Sequence, residues 1–336
     1  MTISVEDFGQ TKSGENVSLF CLTNSHGNVI KLTNYGAILV SVEVPDTDGK
    51  RANVNLGYTS LSGYLERHPY FGSTVGRFCN RIANGRFKID GQSYELAVNN
   101  GPNHLHGGLV GFDQYVWAAE QVDQGLKFSM VSPHGDEGYP GALSVEALYR
   151  WNDQNELSYS FKATTDAPTV LNLTNHAYWN LSGVDNGDVL EHEVMLNCDE
   201  TLDVDDSLIP TGSTSPVAGS VFDFGSFRAL GERINELPET KGYDHCYVVN
   251  GTAGELRLAG TARDPKSGRV MEVLTTQPGM QLYTGNHLDG EFVPHQGFCM
   301  ETQHFPDSPN KPDFPTTRLN PGEIFVEQTV HRFSVS

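Results

Sequence analysis

The sequence predicts an all-β protein, a large antiparallel β-sandwich with few and short helices. Three observations carry that prediction. Apolar residues return at every second position in one short run after another, which is the period of a half-buried strand. Turn formers separate those runs, with 35 Gly and 17 Pro spread along 336 residues. Helical character is confined to two short stretches. So many strands must stack as sheets to bury their inner faces. Length alone permits two domains. No linker, low-complexity tract or fixed-period repeat divides the chain, so one domain over residues 1–336 is expected.

The elements follow in order. Val17–Thr23 and Val29–Thr33 flank the turn formers of residues 24–28, a hairpin signal. Ala37–Val44 is a strand closed by a Pro-Asp-Thr-Asp-Gly turn. Ser60–His68 has helical spacing. Arg86–Leu96 carries Asp90-Gly91 between alternating runs, the clearest short hairpin signal. Strands are expected at Val116–Gln121, Leu126–Ser132, Leu143–Trp151 and Leu157–Thr164. Val170–Leu181 (V-L-N-L-T-N-H-A-Y-W-N-L) splits by alternation into two faces. One holds Leu171, Leu173, Ala177, Trp179 and Leu181. The other holds Asn172, Thr174, His176, Tyr178 and Asn180, polar yet without formal charge. Such a face suits a cleft for a neutral, hydroxyl-rich ligand; it equally suits a polar ladder inside a sheet. Glu193–Cys198 precedes a loop reaching to about residue 220. Phe227–Leu237 has helical character. Strands resume at His245–Val249, Glu255–Ala262, Arg269–Thr276, Met280–Tyr283, Gly297–Thr302 and Ile324–Phe333.

Asp and Glu outnumber Lys and Arg by 42 to 22, a formal charge of −20. That field repels phosphate backbones and anionic lipid, which argues against nucleic-acid and membrane partners. No run approaches transmembrane length, and the N-terminus lacks the features of a secretory signal. Five scattered cysteines, Cys21, Cys79, Cys198, Cys246 and Cys299, form no C-x-x-C pair and suit reduced thiols in the cytoplasm.

Five further segments can carry chemistry. Residues 76–86 place Arg77, Arg81 and Arg86 in an acidic protein, and Asn80-Arg81 pairs an amide with a forked donor suited to vicinal hydroxyls. Arg77 and Arg86 are expected to pair with structural carboxylates. In N-H-L-H-G-G (103–108), a strand would put His104 and His106 on one face, and a hydrogen-bonding role is favoured over a metal pair. Asp244, at a strand start in Y-D-H-C-Y, either accepts bonds from a ligand or caps a turn. Gln281 and Tyr283 share a face. Glu301 stands inside the apolar run G-F-C-M-E-T-Q; burial there raises its pKa, as a general acid or base near neutral pH requires, the alternative being a structural ion pair with one of the arginines.

These segments, with T-T-Q-P-G-M-Q-L-Y-T-G-N at 275–286, resemble in the same order the galactose mutarotase (aldose 1-epimerase) family. The resemblance spans nearly the whole chain. It implies a β-supersandwich and an isomerase that interconverts the α and β anomers of aldohexoses such as galactose and glucose, the first step of galactose metabolism. It also implies no metal and no organic cofactor; the oligomeric state is left open by the sequence, with a monomer or weak homodimer as the default. Carried over by motif, Glu301 is the general base and His176 the general acid. His106 lies beside the reacting centre. Asn80, Arg81, Asp244, Gln281 and Tyr178 contact the sugar. One departure is Gln114, where the family often has Lys in G-F-D-K. For His176 to act as an acid, a nearby carboxylate is expected to hold it as a cation.

Overall fold

The computed structural model describes all 336 residues. Three antiparallel sheets carry most of the chain. The N-terminal sheet takes five strands in chain order: Thr2–Gln10, Asn16–Thr23, Val29–Thr33, Ile38–Pro45 and Arg51–Asn53. The largest sheet has nine strands. Its order is Ala118–Val122, Gly125–Ser132, Leu143–Trp151, Glu156–Thr165, Phe325–Val335, Arg269–Thr275, Arg257–Arg263, Glu193–Leu196 and Arg228–Ala229. The third sheet, five strands, runs Pro210–Pro216, Glu200–Val204, Asp244–Val248, Gly279–Tyr283 and Cys299–Gln303.

Alternation is what makes these sheets stack. In Leu143–Trp151 every odd-numbered residue is buried, and in Arg269–Thr275 the same holds. Residues from all three sheets, among them Phe20, Val145 and Met280, join one core cluster of 48 buried side chains. The all-β expectation is met.

Three expectations are corrected. Phe227–Leu237 is no helix: it contributes the short strand Arg228–Ala229 and one 3₁₀ turn, Ile234–Glu236. Pro238 follows directly and forbids continuation. Only Leu61–Tyr64, four residues, is α-helical. The expected loop before residue 220 contains the strands Glu200–Val204 and Pro210–Pro216, whose Thr, Ser and Asp content hides a strand at the sheet edge.

The third correction bears on function. Val170–Leu181 is not a continuous strand with one wet face. Every residue in it is buried, and only Thr169–Val170 and Thr174–Asn175 pair as short ladders. The segment crosses the interior and changes partner nearly every residue. Asn172 N–H donates to Arg77 O, His176 N–H to Ser73 O, Trp179 N–H to Phe298 O and Asn180 N–H to Val54 O. Its asparagines satisfy buried backbone instead of a ligand. Asn172 Nδ2 reaches His304 O, Asn175 Nδ2 reaches Gly72 O, and Asn180 Nδ2 reaches Gly187 O and Gln296 O. Buried carbonyls left unpaired would be costly, so uncharged amides are the residues this path needs.

Candidate active site

The third sheet sets a row of polar side chains by register. Glu301 pairs with Gln281, Gln281 with Cys246, and Asp244 with Tyr283. Paired residues share a face, as do residues two apart. Glu301, Gln281 and Asp244 therefore stand on one surface of three adjacent strands. Gln281 Nε2 donates to Asp244 Oδ1 at 2.7 Å. Arg81 closes the row, with Nη2 at 3.6 Å from Asp244 Oδ2 and Nε donating to Asn100 Oδ1 at 3.2 Å.

The two histidines arrive on irregular backbone. Asn80 and His106 both have left-handed φ, 60° and 53°. His106 thereby leaves the two-residue strand His104–Leu105, and the shared face expected for His104 and His106 does not exist. His104 turns into the core. Its Nδ1 lies 2.7 Å from Ala97 O, and its Nε2 lies 2.6 Å from the Tyr139 hydroxyl. His106 turns toward His176 and is clamped by the backbone of one residue: its N–H donates to Asn80 O, and Asn80 N–H donates to its ring Nδ1, both at 3.1 Å. The next residue, Gly107, has φ 89°, and a Cβ there would lie 1.9 Å from Gly76 O. The glycine serves close approach of backbone.

His176 and Glu301 meet. His176 Nε2 lies 3.6 Å from Glu301 Oε2, and His106 packs edge-on against the His176 ring with centroids 5.2 Å apart. His176 is 4 % exposed and Glu301 3 %. Glu301 Oε2 is buried without a hydrogen-bond partner, so one acceptor is left unused. Tyr178 lies parallel to the His176 ring, centroids 4.9 Å apart.

Electrostatics reverse one expectation. Burial lowers the His176 pKa to about 4, against a smaller upward pull from Asp244. Burial raises Glu301 well above the carboxylate range; Asp244 adds to the rise and Arg81 opposes it. The geometry admits an ion pair, yet desolvation outweighs attraction for both partners. Burial thus favours the uncharged form of each, the carboxylic acid of Glu301 and the neutral imidazole of His176. His106 is also held neutral, first by burial and then by the neighbouring His176 and Arg81.

His106, His176 and Glu301 bring ligand-type atoms within 4.8 Å of one another. They do not fit a metal ion. Nδ1 of His106 accepts a backbone N–H, so its own proton sits on Nε2. A nitrogen carrying a proton is a donor, not a ligand.

Of the two arginines expected to pair with carboxylates, Arg86 does and Arg77 does not. Arg77 is buried, but it binds the carbonyls of Pro140, Gly141, Ser132 and Pro133, not a carboxylate. Arg86 pairs on the surface with Glu95 at 3.1 Å. Sequence reasoning missed Tyr70, whose ring flanks both His106 and His176. A tyrosine after a proline gives no signal of that. Nothing in the sequence marks Cys299 out from the other four cysteines, yet its Sγ lies 3.6 Å from His176 Nδ1.

The row suits proton transfer on a neutral polyhydroxylated ligand, the work of an acid–base isomerase rather than a redox or metal enzyme. Residues 18–332 match the family model described as aldose 1-epimerase. The chain is 44 % identical over 315 residues to galactose mutarotase of Bos taurus, covering 91 % of each. It is 35 % identical over 333 residues to aldose 1-epimerase of Escherichia coli, covering 95 % of this chain and 96 % of that one. The solved structure of a GalM/aldose epimerase homologue from C. elegans superposes with a TM-score of 0.88 at 32 % identity, covering 94 % of this chain and 98 % of that one. The chain belongs to the aldose 1-epimerase family.

Proposed function

We propose that this protein is an aldose 1-epimerase, interconverting the α and β anomers of aldohexoses such as galactose and glucose. One observation carries the reading. A buried carboxyl with an unused oxygen stands 3.6 Å from a buried imidazole nitrogen, at the end of a row of hydroxyl-binding groups.

Anomer exchange moves two protons at one carbon. The C1 hydroxyl loses one and the ring oxygen gains one; the ring opens to an aldehyde, C1–C2 rotates, and the ring recloses on the other face. Glu301 takes the hydroxyl proton at its unpartnered Oε2, and His176 Nε2 supplies the ring oxygen. That direction needs the ionised pair, which differs by one proton shift across 3.6 Å from the uncharged pair that burial favours. Sugar hydroxyls supply the hydrogen bonds that favour the charged form. Each proton transfer contributes about 10²–10⁴-fold. Neutral His106 points an Nε2–H at the sugar and donates to it. Asp244 and Gln281 hold hydroxyls with Arg81 and Asn80, and Tyr178 keeps the His176 ring in place. No step requires a cofactor.

A hexose-phosphate reading has less support. Arg77 is spent on carbonyls and Arg86 on Glu95, and Arg81 faces Asp244. None of these three arginines is left over to clamp a phosphate.

The reading extends to one domain over residues 1–336, acting as a monomer or weak homodimer. Five free cysteines suit a reducing cytoplasm, and no helix is long and apolar enough to cross a membrane. Polarimetry of fresh α-anomers over a sugar panel tests the proposal. Glu301→Gln is expected to lose at least about 10²-fold in kcat with KM little changed. Near-normal rates in that variant remove Glu301 as base.

A further inference from the structure

The His176 ring is held on several sides. Tyr178 covers one face, with centroids 4.9 Å apart and planes 15° from parallel. Tyr70 covers the other, at 5.9 Å and 17°. His106 packs edge-on against it, and the two ring nitrogens have one neighbour each: Nε2 faces Glu301, and Nδ1 faces Cys299 Sγ, each at 3.6 Å. Cys299 and Glu301 are two residues apart on one strand, so a single strand face meets both nitrogens.

We propose that the Cys299 sulfur is the positioning group of His176, accepting its Nδ1–H and so keeping Nε2 free to exchange the proton at the reacting oxygen. The inference rests on the role given to His176 above. Proton bookkeeping selects this polarity. An acid working through Nε2 passes between a cation bearing both protons and a neutral ring bearing only Nδ1–H. The Nδ1 partner must therefore accept in both states. A thiol donating to Nδ1 would leave the neutral ring protonated at Nε2, and that proton leaves only by forming an imidazolate.

Sulfur also suits the task by its weakness. Burial, then the nearby Glu301, pushes the Cys299 thiol well above its usual range, so the acceptor is uncharged. A carboxylate in that place would hold the imidazolium and blunt its acidity. A thiol orients the ring and leaves the acid strong. The other ionisable groups facing His176 are Glu301, His106, Tyr70 and Tyr178, with Asp244 and His68 further out. None of these is placed at Nδ1.

The test compares Cys299→Ala and Cys299→Ser in the full-length enzyme, with kcat and KM by polarimetry across pH and Tm by calorimetry. Cys299→Ala is expected to lower kcat about tenfold with KM within about twofold. Without an Nδ1 acceptor the cation is less favoured, so the alkaline limb of kcat moves to lower pH. Cys299→Ser supplies a stronger acceptor; it restores most of kcat and moves that limb to higher pH. A lowered Tm with unchanged kcat and an unmoved limb in both variants overturns the proposal and leaves Cys299 a packing residue. His176→Asn, run in parallel, separates the two readings. If it is nearly inactive while both Cys299 variants behave as wild type, only the Cys299 inference falls. If it keeps full turnover, both fall.

Discussion

Glu301 and His176 stand 3.6 Å apart but are placed by different means. Glu301, Gln281 and Asp244 sit on a regular ladder, where register alone decides which side chains share a face. His176 and His106 sit on backbone that pairs with almost nothing for more than two residues. They are held by amide side chains, left-handed residues and flanking rings. The carboxyl row draws on a sheet-wide network of redundant bonds; each histidine depends on a few individual groups. Substitutions on the irregular side are therefore expected to cost more than their small chemical change implies.

The largest effect is expected at Gly107→Ala. Both its φ of 89° and the 1.9 Å approach of Gly76 O exclude a Cβ. A loss of more than about 4 kcal/mol is expected, because rigid main chain must move. Calorimetry reads it. A variant folding with unchanged Tm would show that the His106 loop adapts as freely as an ordinary turn.

Next comes Asn172→Ala, which strips bonds from Cys79 O, His304 O and His304 N–H in the interior. Leaving them unpaired costs about 1–3 kcal/mol for a buried group. Denaturant unfolding against an alanine change at an outward position of Arg269–Thr275 sharpens the contrast between crossing segment and sheet.

The regular side has its own weak point. His331 lies buried on the Phe325–Val335 strand, both ring nitrogens without a partner, and burial lowers its pKa from 6.5 to about 3. The unfolded chain thus takes up a proton first as pH falls. His331 costs nothing in this respect above pH 6.5, and stability drains as pH drops from there toward 3. The slope is about 1.4 kcal/mol per pH unit for one such group. His331→Phe should flatten the fall in Tm between neutral and mildly acidic buffer; an unchanged slope would place the acid sensitivity in the loop-borne histidines.

The smallest effect belongs to Arg86→Ala. Its partner Glu95 and the guanidinium are both mostly in solvent, 74 % and 69 % exposed as side chains. Less than about 0.5 kcal/mol is expected by urea titration, against the buried Arg77 only nine residues earlier.

Most of the strands were legible because alternation and turn chemistry are local. Asp90-Gly91 set a hairpin with no help from the rest of the chain. Glu301 was legible as well: a carboxyl amid Phe, Cys and Met has few reasons to be buried other than use. Val170–Leu181 shows where local reading stops. Its alternation is real, but both faces are buried, because the segment threads between sheets whose positions no window of twelve residues encodes.

The chain by itself determined the all-β class, the strands of the site and, through motifs in order, the chemical identity of the groups there. Folding in three dimensions decided which of them meet. It sent His104 into the core and His106 toward His176, through one left-handed residue. It also buried both members of the pair, which lowers the His176 pKa and raises that of Glu301. Residue type records what a group can donate or accept, whereas its charge depends on how much water the packed fold leaves around it.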